Sequence, residues 1–233
     1  GEWTERKTPP FVAGRGEDGD GHHASSRCYR IETHRMSPTI AIIGAGQAGF
    51  QAAASLREMH YAGRIVLVGD EGQTPYQRPP LSKAYLLGEC SEAHIALRPE
   101  AFYAQHAIEL IAGKRAVAID RRRQQVALED DSVIEYDHLI LATGARNRTL
   151  PVPGADLRNV CFLRTLDDAD ALRPQLDQAR RLIVIGAGFI GLELAAAAAR
   201  KGGEVTVLDV ADRPMARALS ETMSAVCARE HGK

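Results

Sequence analysis

A glycine-rich segment near the start of the regular sequence has the spacing of a dinucleotide-binding turn. GAGQAG places Gly44, Gly46 and Gly49 at the G-x-G-x-x-G spacing, directly after the apolar run TIAII. In such a turn the first glycine permits a tight bend, the second lets the backbone approach a pyrophosphate, and the third lets the helix pack on the strand. The N-terminus of that helix then offers unpaired N–H groups to phosphate oxygens. The segment therefore predicts a nucleotide site.

A second segment, GAGFIG at 186–191, repeats the spacing. Asp70 and Asp209 each end the strand that follows a glycine turn, near the usual offset of about 20 residues, where a carboxylate can bind a ribose diol. A single turn of this kind matches ordinary strand-to-helix connections, but two copies in the same context favour dinucleotide binding. An acid at Asp209 repels a 2′-phosphate and so favours NADH over NADPH. Arg213 and Arg217 lie nearby and would soften that preference.

The elements around both turns read as two βαβ units. The first unit runs from Thr39 through a helix ending near His60 to a strand that reaches Asp70. The second runs from Arg181 through an Ala-rich helix to Asp209. The pattern predicts an α/β protein with two Rossmann-like dinucleotide-binding domains built on parallel sheets.

The rest of the chain sets the expected domain limits. Alternating residues in 125–128 and 133–136 predict a hairpin, and PVPG at 151–154 reads as a linker. We expect one dinucleotide-binding domain over 37–150 and a second over 151–233. Residues 1–36, which include GRGEDGDGHH, read as a disordered tail or as spurious upstream sequence before a start at Met36.

Composition argues against several other classes. With 29 basic and 30 acidic residues the net charge is −1, which predicts neither a nucleic-acid nor a membrane partner. No apolar run approaches the ~18 residues of a membrane span. The four cysteines are far apart and lack metal-ligand spacing, which indicates reduced thiols, a cytoplasmic protein and no metal site.

Four further motifs carry a family resemblance. They are RPPLSKAYL (78–86), LILATGAR (139–146), LRTLDDA (163–169) and VIGAGFIGLELA (184–195). Together they resemble the FAD-dependent pyridine nucleotide-disulfide oxidoreductases, in particular their ferredoxin reductase branch. The resemblance implies that 37–150 is an FAD-binding domain and that 151–233 is a truncated NAD(P)-binding domain. It also implies hydride transfer from NADH to FAD, followed by single-electron transfer to a two-iron ferredoxin or a rubredoxin that feeds an oxygenase.

The resemblance also implies roles for individual residues. Lys83 and Glu193 would lie together beside the flavin N5, where the lysine stabilises negative charge and the carboxylate holds the ammonium and helps to position the nicotinamide. Glu193 would also suit a first-turn acid that complements a helix dipole. The implied FAD contacts are Gly44, Gly46, Ala48, Gly49, Asp70, Arg78, Lys83, Ala116, Thr143, Gly144 and Arg164. The implied NADH contacts are Gly186, Gly188, Phe189, Ile190, Gly191, Glu193, Asp209 and Arg217.

Two features separate this chain from other branches of the same superfamily. TPYQRPPLSKAYL (74–86) has no cysteine and Cys90 is isolated, so dithiol chemistry is not expected. A flavin- and nicotinamide-binding redox protein of the apoptosis-inducing-factor type, without efficient turnover, is the alternative function. Because the sequence stops at Lys233 within the second domain, we expect a fragment that is flavin-poor and partly unstable by itself.

Overall fold

The computed structural model describes residues 38–232, so the predicted tail at 1–36 lies outside the described part of the chain. A short 3-10 helix covers Pro79–Ser82. The strands are β1 Thr39–Ile43, β2 Arg64–Val68, β3 Ile108–Ile111, β4 Ala116–Asp120, β5 Gln125–Leu128, β6 Val133–Glu135, β7 His138–Leu141, β8 Arg181–Ile185 and β9 Glu204–Leu208. The helices are α1 Gln47–Glu58, α2 Glu92–Ile95, α3 Glu100–Gln105, α4 Leu166–Gln178, α5 Phe189–Arg200 and α6 Glu221–His231.

The first sheet is parallel, in the order β3-β2-β1-β7. Its central strands are apolar at every inner position because both faces are covered, as is typical of parallel sheets. On one face Ile42 and Leu67 pack with Phe50 of α1 and Tyr103 of α3. This arrangement confirms the predicted α/β class with a parallel sheet.

The opposite face of the first sheet is covered by a second sheet, which is antiparallel, in the order β4-β5-β6. Val126, Leu128 and Ile134 from these strands pack against Val66 and Ile43. The predicted hairpin is confirmed as the β5–β6 pair, and the structure adds β4 to it. The antiparallel sheet therefore covers the second face of the first parallel sheet.

Among residues 38–232 the third sheet consists of β8 and β9, paired in parallel from Arg181 opposite Glu204 to Ile185 opposite Leu208. Leu182 and Val205 face a cluster that α4, α5 and Leu86 complete. Because Leu86 follows the Pro79–Ser82 turn, this cluster joins the loop after β2 to the second βαβ unit. No helix in residues 38–232 combines the length and the apolar character that a membrane span requires.

Candidate functional site

The two glycine turns have the same backbone geometry. Gly44 has a φ of +112° and Gly186 a φ of +110°, a region that favours glycine. Each amide reaches across to the neighbouring strand: the Gly44 N–H donates to the Val68 carbonyl at 2.8 Å and the Gly186 N–H to the Leu208 carbonyl at 2.7 Å. Both turns therefore leave their strand in the same direction, over the carboxyl end of the sheet.

The third glycine of each turn brings the helix against the strand. A Cβ at Gly49 would collide with the Gly44 carbonyl oxygen, and a Cβ at Gly191 would collide with the Gly186 carbonyl oxygen. A side chain at either position would push the helix away from its turn. The spacing of the first and third glycines thus fixes the position of each helix N-terminus.

The middle glycine of each turn leaves the backbone open. No atom lies within 4 Å of the position that a Cβ would take at Gly46 or at Gly188. Both residues are helix N-caps without a side-chain hydrogen bond, so the first N–H groups of α1 and α5 have no side-chain cap. Ala48 lies exposed in the first turn of α1. The arrangement fits a pyrophosphate at each helix N-terminus.

A cleft surrounds the first turn, lined also by Asp70, Tyr76 and Thr143. The Asp70 carboxylate lies 3.5 Å from the Arg115 guanidinium, and both side chains are more than half exposed. Arg115 directly precedes Ala116, the first residue of β4, so the Asp70–Arg115 contact joins the end of β2 to the start of β4. Exposure leaves the Asp70 carboxylate accessible to a ribose.

The Arg78 side chain is held by a polar cluster. Its guanidinium lies 2.5 Å from the Glu71 carboxylate and donates to the Arg164 carbonyl at 2.8 Å. The Tyr76 hydroxyl donates to Glu71 and accepts the Leu166 N–H at 2.9 Å. Burial, followed by the hydrogen bond to Glu71, raises the pKa of Tyr76. These contacts hold the loop after β2 against the start of α4. They direct the Arg78 guanidinium toward Glu71 and the Arg164 carbonyl.

Thr143 and Gly144 follow β7, where the Ala142 N–H donates to the Ile43 carbonyl and holds the segment against β1. Gly144 has a φ of +67°. An Arg164 guanidinium nitrogen would lie 3.5 Å from a Cβ at Gly144, so the two predicted contacts are neighbours. The structure thus brings Thr143, Gly144 and Arg164 together at one end of the cleft.

Lys83 and Glu193, which the resemblance pairs, form an ion pair. The Lys83 Nζ lies 2.8 Å from Glu193 Oε1 and also 3.3 Å from the Pro79 carbonyl oxygen. Ser82, which sequence reasoning missed, donates from its hydroxyl to Glu193 Oε2 at 2.5 Å. Its place beside Lys83 was the signal that could have found it. Two consecutive residues therefore hold both oxygens of one carboxylate.

The charge state of Glu193 follows from these contacts. Burial acts to raise the pKa of the Glu193 carboxyl group, but hydrogen bonds from Lys83 and Ser82 and the charge of Lys83 outweigh burial, so that pKa lies below its ordinary value of 4.5. The group is therefore a carboxylate at neutral pH, and the ion pair is intact there.

Asp209 is anchored to the second turn by backbone N–H groups. Its Oδ1 accepts the Ala211 N–H at 2.8 Å and its Oδ2 accepts the Ala187 N–H at 2.6 Å. These two hydrogen bonds, in that order, lower the pKa of Asp209, with a smaller effect from the charge of Arg217. Arg213 donates to two carbonyls of the turn that follows, whereas Arg217 is exposed.

The start of α5 presents apolar side chains to solvent. Phe189 is 62% exposed and Ile190 is 54% exposed. Phe189 lines a groove with Glu193, one turn further along the helix, and with Cys227 and His231 of α6. The predicted nicotinamide contacts Phe189 and Glu193 therefore border the same groove.

The cysteines of the described range, Cys90, Cys161 and Cys227, are all free. Within that range no three His, Cys, Asp or Glu side chains are close enough together to hold a metal ion. The residues at the two turns instead suit phosphate and ribose groups.

Sequence comparison assigns the class. The chain belongs to the pyridine nucleotide-disulphide oxidoreductase family, whose sequence profile matches residues 38–233. It is 57% identical over 193 residues to rhodocoxin reductase of Rhodococcus erythropolis, covering 83% of this chain and 45% of the relative. It is 44% identical to putidaredoxin reductase of Pseudomonas putida, covering 80% of this chain and 45% of that protein.

Solved structures agree in fold. The ferredoxin reductase for the CYP199A2 system of Rhodopseudomonas palustris matches with a TM-score of 0.81 at 50% identity, over 84% of this chain and 48% of that one. The covalent putidaredoxin reductase–putidaredoxin complex matches with a TM-score of 0.80 at 43% identity, over the same shares. The chain thus spans about half the length of the relatives it matches.

Proposed function

We propose that the first glycine turn binds FAD, that the second binds NADH, and that the protein is an NADH-dependent reductase of a two-iron ferredoxin or a rubredoxin. The partner would pass electrons to an oxygenase in the cytoplasm. The Lys83–Glu193 ion pair carries the proposal, because it joins the loop after the first βαβ unit to the first turn of α5. The names of the relatives, which include rhodocoxin reductase and a rubredoxin–NAD(+) reductase, support it.

The residues around the first turn fit FAD. The open backbone at Gly46 and the N-terminus of α1 would receive the pyrophosphate, and Asp70 would accept hydrogen bonds from the adenosine ribose. Thr143 and Arg164 would bind further along the cleft. Bound FAD would supply the chemistry, since a flavin accepts a hydride and releases single electrons.

Lys83 would stabilise negative charge. An ammonium has three donors, of which one faces Glu193 and one faces the Pro79 carbonyl. The third is free to point toward the open side of the ion pair, because the Lys83 side chain is 49% exposed. Glu193 fixes the ammonium there, and a fixed charge needs no reorganisation when negative charge develops nearby.

The second turn favours NADH. Asp209 is ionised and anchored to the turn, so its charge would repel a 2′-phosphate and its remaining lone pairs would bind the ribose diol. The charge of Arg217 contributes to the lowered pKa of Asp209. Because the Arg217 side chain is exposed, solvent and salt screen its charge. Phe189 and Ile190 would cover the nicotinamide half of the cofactor.

Replacing Lys83 by methionine tests the proposal. When the flavin-loaded protein is mixed anaerobically with NADH, we expect Lys83→Met to slow the loss of oxidised flavin absorbance by about 100-fold, the effect of removing one preorganised charge. Lys201→Met is the matched control, because Lys201 is also paired with a carboxylate, that of Asp177, away from the turns. The control should reduce flavin at the wild-type rate.

A ferredoxin and a rubredoxin, added in turn to the NADH-reduced wild-type protein, test the acceptor. We expect rapid reduction of one of them. Slow flavin reduction by NADH with no electron transfer to either acceptor would contradict the proposal and would favour the alternative, a flavin- and nicotinamide-binding redox protein without efficient turnover.

A further inference from the structure

We infer that Ser82 is a positioning residue for hydride transfer, which fixes the Glu193 carboxylate so that the opposite oxygen holds the Lys83 ammonium in place. This inference rests on the proposed function. It is carried by the contact between the Ser82 hydroxyl and Glu193 Oε2, which joins two residues that are 111 positions apart in the sequence.

Because Ser82 is buried, its hydroxyl has few alternative hydrogen-bond partners. The residue is 4% exposed, and its Oγ lies 2.5 Å from Glu193 Oε2 and 3.5 Å from the Pro79 carbonyl oxygen. A hydroxyl donates a single hydrogen, and the ionised carboxylate is the nearer and stronger acceptor. The proton of Ser82 is therefore committed to Glu193.

The two hydrogen bonds to Glu193 act together. Ser82 holds one carboxylate oxygen and Lys83 the other, so rotation of the carboxylate about its terminal bond would break both contacts. Lys83 is half exposed and Glu193 is 27% exposed, so water competes for the ion pair. The buried hydroxyl gives the carboxylate a partner that solvent does not readily displace.

The local structure explains why the serine is held rigidly. Pro79 and Pro80 begin the 3-10 helix, and the Lys83 N–H donates to the Pro80 carbonyl at 3.0 Å. Because proline fixes φ, the turn has few alternative conformations. Ser82 and Lys83 thus reach α5 from one preorganised loop.

The first test measures the titration of the Glu193 carboxyl group. The infrared band of Glu193 is identified by subtracting the spectrum of Glu193→Gln and is titrated from neutral pH into the acid range. Lys83 forms the ion pair, and His231 and Cys227 are the other ionisable residues that line the adjoining groove. We expect Ser82→Ala to raise the pKa of Glu193 by about one unit, because one hydrogen bond to the charged form is lost.

Two variants keep this test interpretable. Ser82→Thr retains the hydroxyl and should restore the titration midpoint. Ser224→Ala removes the hydroxyl of another buried serine, which donates to the Pro214 carbonyl, and should leave the midpoint of Glu193 unchanged. A midpoint in Ser82→Ala equal to that of the wild type would overturn the inference, whether or not NADH reduces the flavin.

The second test measures the rate of flavin reduction by NADH in the flavin-loaded protein. With NADH in excess, Ser82→Ala should lower the rate constant of flavin reduction by about tenfold, with little change in the apparent affinity for NADH. An unchanged rate constant beside a raised midpoint would overturn the role in hydride transfer. Failure of the wild-type protein to be reduced by NADH would instead overturn the proposed function, so the two failures are distinguishable.

Discussion

The two βαβ units share a turn but differ in how well their sheets are covered. In the first unit Ile42, Ile65 and Leu67 are fully buried. In the second unit, Ile183 of β8 is 64% exposed and Leu208 of β9 is 51% exposed. The first sheet lies between helices and the β4–β6 sheet, whereas among residues 38–232 the second sheet has helices on one face only.

This difference shows which features of a nucleotide-binding unit are local. The φ angles at Gly44 and Gly186 differ by only two degrees, and the collisions that exclude side chains at Gly49 and Gly191 are the same. The turn is therefore set by its own strand, glycines and helix. Burial of the strands depends instead on what packs against the far face of the sheet.

The largest expected contrast is between alanine at Gly44 and alanine at Gly186. Both substitutions strain a backbone with positive φ, but only at Gly44 would the new Cβ collide with the Ala142 carbonyl after β7. We expect Gly44→Ala to lower the free energy of unfolding by about 2–6 kcal/mol, and Gly186→Ala by about 1–3 kcal/mol. Urea unfolding of the two variants measures the difference. An equal loss of unfolding free energy in the two variants would show that positive-φ strain, without the collision at Gly44, accounts for both effects.

Truncating one isoleucine in each sheet tests the contrast in burial. Ile42→Ala removes a fully buried side chain and should lower the free energy of unfolding by about 2–5 kcal/mol. Ile183→Ala removes one that is mostly exposed and should change it by about 0.5 kcal/mol or less. Thermal unfolding of both variants provides the measurement. A large loss at Ile183 would mean that the outer face of β8 is covered in solution.

Local patterns were enough to predict much of the fold. The apolar runs before each GAG motif gave β1 and β8, and the alternation around Glu129 gave the β5–β6 pair, because these signals need only neighbouring residues. Strand β3 was missed since IELI is short and mixes polar and apolar residues. Helix α4 was missed because Pro174 lies inside it, although Thr165 and Asp168 form a capping box and Leu166, Ala169, Leu172 and Leu176 recur at helical spacing.

The candidate site was predictable only in part. The family motifs predicted the pairing of Lys83 with Glu193, whereas the Ser82 contact depends on a tertiary approach for which its place beside Lys83 is the signal in the sequence. The resemblance implied that Arg78 would reach FAD, and the structure orients its guanidinium toward Glu71. Glu71 and Arg78 lie in the same loop after β2, which brings their side chains together, and the FAD contact of Arg78 stays a prediction.

The assignment of FAD to the first turn and NADH to the second is tested most directly by alanine at the two middle glycines. Gly46 and Gly188 have negative φ, and a Cβ at either would meet no protein atom, so both variants should fold. Each new methyl group would hinder a pyrophosphate at its own turn.

The measurement is the dissociation constant of each nucleotide for both variants of the protein, by fluorescence titration with FAD and with NADH. We predict that Gly46→Ala weakens FAD binding by at least about tenfold and leaves NADH nearly unaffected, whereas Gly188→Ala does the reverse. Loss of FAD binding in Gly188→Ala with retention in Gly46→Ala would contradict the assignment.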